Sequence, residues 1–245
     1  MNTYTFNNKK IPILEAGEIG YGYLIENDAG FISPELNKNL VTESFKLEEG
    51  KPVRIQCVLQ KYGVKNKNGR IYPKEALVPQ VEQYMKLVED NSAVSEADHP
   101  DSSIVSLHNI SHKITDMWWG KGDKSHILFG VIELTITPGF IKYGIASVIA
   151  DKILNYIMNH NIKIGISSRG VGTLKDEEGQ HIVQPDYELI GFDLVSTPST
   201  PGAYLFPGVD NIEQAIGENF EKKNDLYVPK EQNKINSILD YFLKR

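Results

Sequence analysis

Cysteine is nearly absent. The 245 residues hold one, Cys57, so no disulfide can close within the chain and the fold owes nothing to an oxidising compartment; a cytoplasmic setting is expected. A basic surplus is also missing. Lys and Arg number 26 against 32 Asp and Glu, a net charge of −6, which argues against a nonspecific nucleic-acid binder that must neutralise phosphates. No apolar run approaches the roughly 18 residues of a membrane span. The opening MNTYTFNNKK has no apolar stretch of the secretory kind. Neither nucleic acid nor membrane is therefore expected as a partner. What is present is a globular composition, 40% hydrophobic and 24% charged, on a chain long enough for one large domain or two small ones.

The chain divides into three by pattern. Residues 1–50 are interrupted by Gly, Asn and Glu and read as an irregular arm or pro-segment. Residues 51–208 form the main domain. Residues 209–245 are a polar linker followed by an amphipathic helix with Ile235, Ile238, Leu239 and Phe242 on one face. Within the domain, VRIQCVLQ (53–60) alternates as a strand, and NKNGRIYP (66–73) is a loop leading into a helix over 74–89, with a break or kink at Pro79. NSAVSEADHPDSS (91–103) is a short strand entering a polar loop. Residues 106–120 and 125–136 are strands joined by a hairpin at GKGDK. Residues 140–160 carry helical spacing throughout, and 162–174 and 187–199 are strands separated by the acidic turn KDEEGQ. The fold class is α+β: a mostly antiparallel β core, barrel-like, with helices around it.

The stretch GISSRG (165–170) sets two serines among glycines and before an arginine. In an extended strand Ile162, Ile164 and Ile166 point one way, and Lys163, Gly165 and Ser167 the other. Ser168 falls on the isoleucine side. Ser167, at the strand end, is the better nucleophile, and the amides near Arg169 and Gly170 lie where an oxyanion would develop. A serine needs a base. Of six histidines, His99 in EADHPDSS stands out, with Glu96 and Asp98 beside it and Pro100 stiffening the chain. The imidazole in turn needs an acid. Asp193, inside the apolar strand LIGFDLVS, is the candidate; Glu96 and Asp98 are local alternatives.

NKNGRIYPKEAL, EADHP, DMWWGKGD, GISSRGVGTL and FDLVSTPS occur in this order. Together, over about 53–201, they resemble the prohead core (capsid maturation) serine proteases of tailed bacteriophages. The resemblance implies a fold like that of the herpesvirus assembly proteases, with Ser167 as nucleophile, His99 as general base and the third member on the strand after the serine strand, where Asp193 lies. It implies a backbone oxyanion site at Arg169 and Gly170, and no cofactor. It also implies cleavage after glutamate with an aliphatic residue two positions earlier, which requires a basic pocket from Arg70, Lys74 or Lys163. The substrates would be phage scaffolding core and major capsid proteins inside an immature head in the bacterial cytoplasm. Self-association is a further expectation, as is self-trimming at Glu15, Glu49 or Glu218, each of which ends an aliphatic-x-Glu triplet.

Two other readings compete. A metallohydrolase would use His99, His108 and His112, the last two sharing a strand face. A catalytically silent core or scaffold component of the same fold would need neither Ser167 nor His99.

Overall fold

The computed structural model describes residues 47–100 and 102–216, with the backbone of three strands before them: β1 (Asn2–Phe6), β2 (Lys9–Ile13) and β3 (Gly22–Leu24). The arm read as irregular therefore carries strands. β1 and β2 pair as an antiparallel hairpin, and β3 joins the sheet of the site. The amphipathic helix expected near the C-terminus lies outside the described residues.

The largest sheet has five strands: β4 (Val53–Lys61), β6 (Val94–Glu96), β7 (Ile110–Trp119), β8 (Ile127–Leu134) and β13 (Leu205–Phe206), in the order β13-β4-β8-β7-β6. Every pairing in it is antiparallel. β7 and β8 form the expected hairpin, turning through a short 3₁₀ segment at Gly122–Lys124. A second sheet, β12 (Glu188–Val195), β9 (Gly165–Gly172) and β3, lies in that order, also antiparallel. A third is built from β10 (Leu174–Glu177), β11 (Gln180–Val183) and β5 (Arg70–Ile71). The acidic run KDEEGQ is thus a hairpin, reversing at Glu178 and Gly179, both with positive φ.

Single bridges link the two larger sheets, Ala97 to Leu194 at one edge and Gly165 to Tyr204 at the other. Among the described residues the sheets are mostly antiparallel, as expected, and do not close into a barrel. The linking strands are too short to sustain continuous ladders, β6 having three residues and β13 two. The core includes Ile55, Leu59, Phe129 and Ile132 from the first sheet and Ile166, Phe192 and Leu194 from the second.

Helix α1 (Lys74–Glu89) runs through Pro79 unbroken and buries Ala76, Leu77, Val81 and Tyr84. The single helix expected over 140–160 is two, α2 (Pro138–Tyr143) and α3 (Ile149–His160). Gly144 ends the first in the left-handed region, φ 68°, a conformation that costs glycine nothing. Asp151 then fixes the junction, accepting from the amides of Thr137 and Ser147, both at 2.9 Å. A last turn, α4 (Ile212–Ala215), follows β13. Neither indole of the Trp118–Trp119 pair is fully buried. Trp118 stacks on Phe129 and donates to Glu213 at 2.6 Å, and Trp119 leans on Tyr62.

Candidate active site

β9 carries the site because its alternation separates two serines to opposite faces. Ile164, Ile166 and Ser168 face the core, while Ile162, ahead of the strand, is exposed. The Ser168 hydroxyl accepts from Gln60 Nε2 of β4 at 2.8 Å, and the same Gln60 side chain receives the Thr200 hydroxyl. Ser168 is thus locked into a buried polar link between sheets. Ser167 points the other way and pairs directly with Asp193 across the β9–β12 ladder. Cross-strand partners put their Cβ atoms about 5 Å apart on one face, so the Ser167 hydroxyl and the Asp193 carboxylate share a face.

His99 completes that face. Its Nδ1 lies 2.9 Å from Asp193 Oδ2. Its Nε2 is buried and has no hydrogen-bond partner. An imidazole that donates Nδ1–H to a carboxylate keeps a lone pair on Nε2, the tautomer a general base requires. The ring is presented by a tightly turned loop: Asp98 and His99 both have left-handed backbone, φ 65° and 44°. For residues other than glycine, such conformations cost about 1–3 kcal/mol each and persist only where neighbours enforce them. The enforcement is visible. The Asp98 amide donates to Leu194 O at 2.9 Å, and Ala97 bridges Leu194.

Of the three carboxylates weighed from sequence, Asp193 is the one on His99. Asp98 is exposed. Glu96 is fully buried but turned to Arg169, whose Nη2 approaches its Oε2 at 2.7 Å. The Arg169 side chain is itself wholly buried. Its Nε sits 2.8 Å from Asp193 Oδ2, its Nη2 3.2 Å from Asp193 Oδ1, and its Nη1 donates to Ser102 O at 2.6 Å. Sequence reasoning valued Arg169 for its backbone alone and missed this guanidinium. The signal available was that Arg169 lies two residues from Ser167, on the same strand face.

Ser167 does not end a strand, as the sequence suggested. It is the third residue of an eight-residue strand and fully buried. The Ile166 amide donates to Ala203 O, so alternation turns the Gly170 amide to that same outer edge, where β3 lies, and the Arg169 amide toward β12. Leu24 of β3 pairs with Gly170. Opposite Arg169 stands Gly191, where a Cβ would meet Ser95 Oγ at 2.7 Å; its absence lets β6 close on β12 and bring Glu96 in.

The basic residues considered for an acidic subsite lie in separate elements. Arg70 is in β5 opposite His181, Lys74 opens α1 over the Tyr62 ring at 5.8 Å, and Lys163 precedes β9. His112, one of the three histidines of the metal reading, is fully buried, with Nδ1 on Ser111 Oγ at 2.9 Å and Nε2 on Phe192 O at 2.8 Å. Burial holds its pKa down at about 4. Both ring nitrogens are committed, while His108 is exposed. Among the described residues no three His, Cys, Asp or Glu side chains are grouped to hold a metal. Cys57 is buried in β4, and burial pushes its thiol up, so it keeps its proton and is no rival nucleophile. No helix among the described residues is long and apolar enough to cross a membrane.

The chain is 35% identical over 156 residues to the prohead core protein protease of Enterobacteria phage T4, covering 62% of this chain and 68% of that one. Its structure is similar to that of the bacteriophage T4 capsid assembly protease, with a TM-score of 0.54, 25% identity, and coverage of 74% of this chain and all of that one. Residues 28–214 match the model of the prohead core protein serine protease, and the chain belongs to that family.

Proposed function

We propose that this prohead protease is a serine endopeptidase in which Ser167, His99 and Asp193 act as nucleophile, general base and orienting acid. The observation that carries the reading is the His99 Nδ1–Asp193 Oδ2 contact of 2.9 Å, with Asp193 the ladder partner of Ser167. Asp193 fixes the ring with Nε2 free to take the Ser167 proton as the hydroxyl attacks a peptide carbonyl. The imidazolium so formed is held by the Asp193 carboxylate. It then protonates the leaving amine, and water releases the acyl-enzyme by the same steps in reverse. Of the two amides expected to stabilise the oxyanion, that of Arg169 is turned toward β12 and that of Gly170 toward β3, where Leu24 pairs with it, so Gly170 serves in this role only with β3 displaced from that edge. Loss of one such donor costs about 10²–10³ in rate.

The substrates we assign are core scaffolding and major capsid proteins of the maturing head, cut after glutamate with an aliphatic residue two positions earlier. Self-cleavage belongs to the same proposal. Glu49 lies in an exposed turn next to β4, whereas Glu15 and Glu218 fall outside the described residues. A fourth triplet, Leu24-Ile25-Glu26, was missed from sequence; its Leu24 pairs with Gly170 on the strand of the nucleophile.

The experiment is treatment of the full chain with a serine-directed fluorophosphonate, alongside incubation and mass spectrometry of the fragments. Labelling at Ser167 that disappears in Ser167→Ala, with cuts after glutamate, is expected. Absence of both labelling and cuts favours the silent scaffold, and chelator-sensitive cleavage without labelling favours a metal enzyme. Cuts at residues other than glutamate reject the specificity alone.

A further inference from the structure

Behind the His99–Asp193 pair lies a charge arrangement that the acyl-transfer scheme does not use. Asp193 Oδ2 is shared between His99 Nδ1 and Arg169 Nε, at 2.9 and 2.8 Å. The Arg169 approach is a charge contact off the hydrogen-bond axis, since Nε has no aligned acceptor. Asp193 Oδ1 receives the Glu96 amide and Arg169 Nη2, both at 3.2 Å. A cation this close to the orienting carboxylate has two effects. It locks the angle of Asp193, and it opposes the very imidazolium that Asp193 is meant to stabilise. The second effect would weaken His99 as a base unless the cation were offset.

Glu96 supplies the offset. It is fully buried, contacts Arg169 Nη2 at 2.7 Å, and leaves its Oε1 without any hydrogen-bond partner. A buried carboxylate with an unsatisfied oxygen is a poor stabilising device, because desolvation is not repaid by hydrogen bonds. Its charge, however, returns the Glu96–Arg169–Asp193 group to a net −1, so the group becomes neutral when His99 takes a proton. We propose that Arg169 and Glu96 are a buried positioning pair, Arg169 gripping Asp193 at its angle to His99 and Glu96 cancelling the guanidinium charge so that Asp193 acts on the imidazole as a full anion.

The other ionisable groups facing this cluster are Tyr84 from α1 and His112 from β7; Asp98, next to His99 in its loop, is exposed. Burial raises Tyr84 to about 12, with smaller effects from its Ser95 hydrogen bond and from Asp193 and Arg169, and burial lowers His112 to about 4. Both are therefore neutral around pH 7 and leave the balance to the three charges named.

This inference rests on the proposed roles of His99 and Asp193, and its test does not need turnover. The full chain carrying Ser167→Ala and ¹⁵N-labelled histidine is titrated by NMR. Adding Glu96→Gln leaves Arg169 uncompensated and should move the His99 ring titration to lower pH by about one unit, the scale for a unit charge several ångströms away inside a protein. Glu96→Asp keeps the charge and should leave the midpoint near that of the parent. Glu96→Gln with Arg169→Met removes both charges and should return the midpoint to the parent value while the orientation of Asp193 is lost. With Ser167 restored, fluorophosphonate labelling should fall about tenfold in Glu96→Gln, following the weaker base.

An unmoved midpoint in Glu96→Gln overturns the proposal. So does a midpoint that stays displaced in the double variant, which also serves if the single variant does not fold. Collapse of both overturns it too, since the pair would then serve the fold and not the imidazole. If the parent protein is never labelled, the peptidase reading fails, and the titration still decides this one.

Discussion

Two adjacent serines with opposite fates give a sharp test. Ser168 Oγ accepts from Gln60 Nε2 in a fully buried link that also includes Thr200. Replacing Ser168 by alanine strands a buried amide N–H, a cost of about 1–3 kcal/mol. For a domain of this size each kcal/mol lowers Tm by about 2–4 °C, so Ser168→Ala should melt about 2–12 °C lower. It should still react at Ser167, because the hydroxyl it loses is on the far face of β9 from His99 and Asp193. Ser167→Ala should do the reverse. Loss of a nucleophile acting as part of a unit costs up to about 10⁶ in kcat, with Tm shifted by a smaller amount than in Ser168→Ala. Scanning calorimetry and fluorophosphonate labelling of both variants separate the two. If Ser168→Ala loses labelling with an unchanged Tm, or Ser167→Ala keeps cleaving, the facing argument is refuted.

Asp193→Asn should lower peptide cleavage by about 10⁴, as expected when the imidazole loses its anion and preferred tautomer; a loss under tenfold in steady-state rates would remove Asp193 from its role. His112 links stability to pH. Its pKa is about 4 in the folded chain because of burial, against about 6.5 unfolded. Below 6.5 the unfolded state therefore binds more protons, and the His112 contribution, complete above that value, is lost as pH falls toward 4. Between pH 7 and 5 this amounts to about 2 kcal/mol, so urea melts at the two values should show a smaller difference in His112→Gln than in the parent; an equal difference counts against it. Asp98, at φ 65°, matters through its backbone: Asp98→Gly should keep activity, while Asp98→Ala should lose about 1 kcal/mol. Inactivity of Asp98→Gly, measured by labelling, would restore the Asp98 carboxylate as a candidate partner of His99.

The contrast between what was legible and what was not follows from the range of the physics involved. The face of β9 was readable because period-two alternation is a local property: once GISSRG is extended, Ser167 and Ser168 must diverge. The β7–β8 hairpin and the strands β4 and β12 were readable for the same reason. The break between α2 and α3 was not, since Tyr143, Ile145 and Val148 continue the apolar spacing although all three are exposed; the interruption comes from Gly144 and from Asp151 reaching back to Thr137. Strand β3 was unreadable because three residues paired with a distant edge carry no periodicity of their own. Arg169 is the most instructive case. An arginine between serine and glycine is ordinarily a solvent-facing side chain, and nothing within GISSRG says that two carboxylates from strands 73 and 24 residues away will enclose it. Burial of that guanidinium depends on β6 approaching β12 over Gly191, a tertiary event. The same event sets His99 against Asp193. The groups that hold the base and the groups that neutralise its support are therefore assembled by one contact between sheets, which is why the separate motifs could be read from the sequence and the charge balance among them could not.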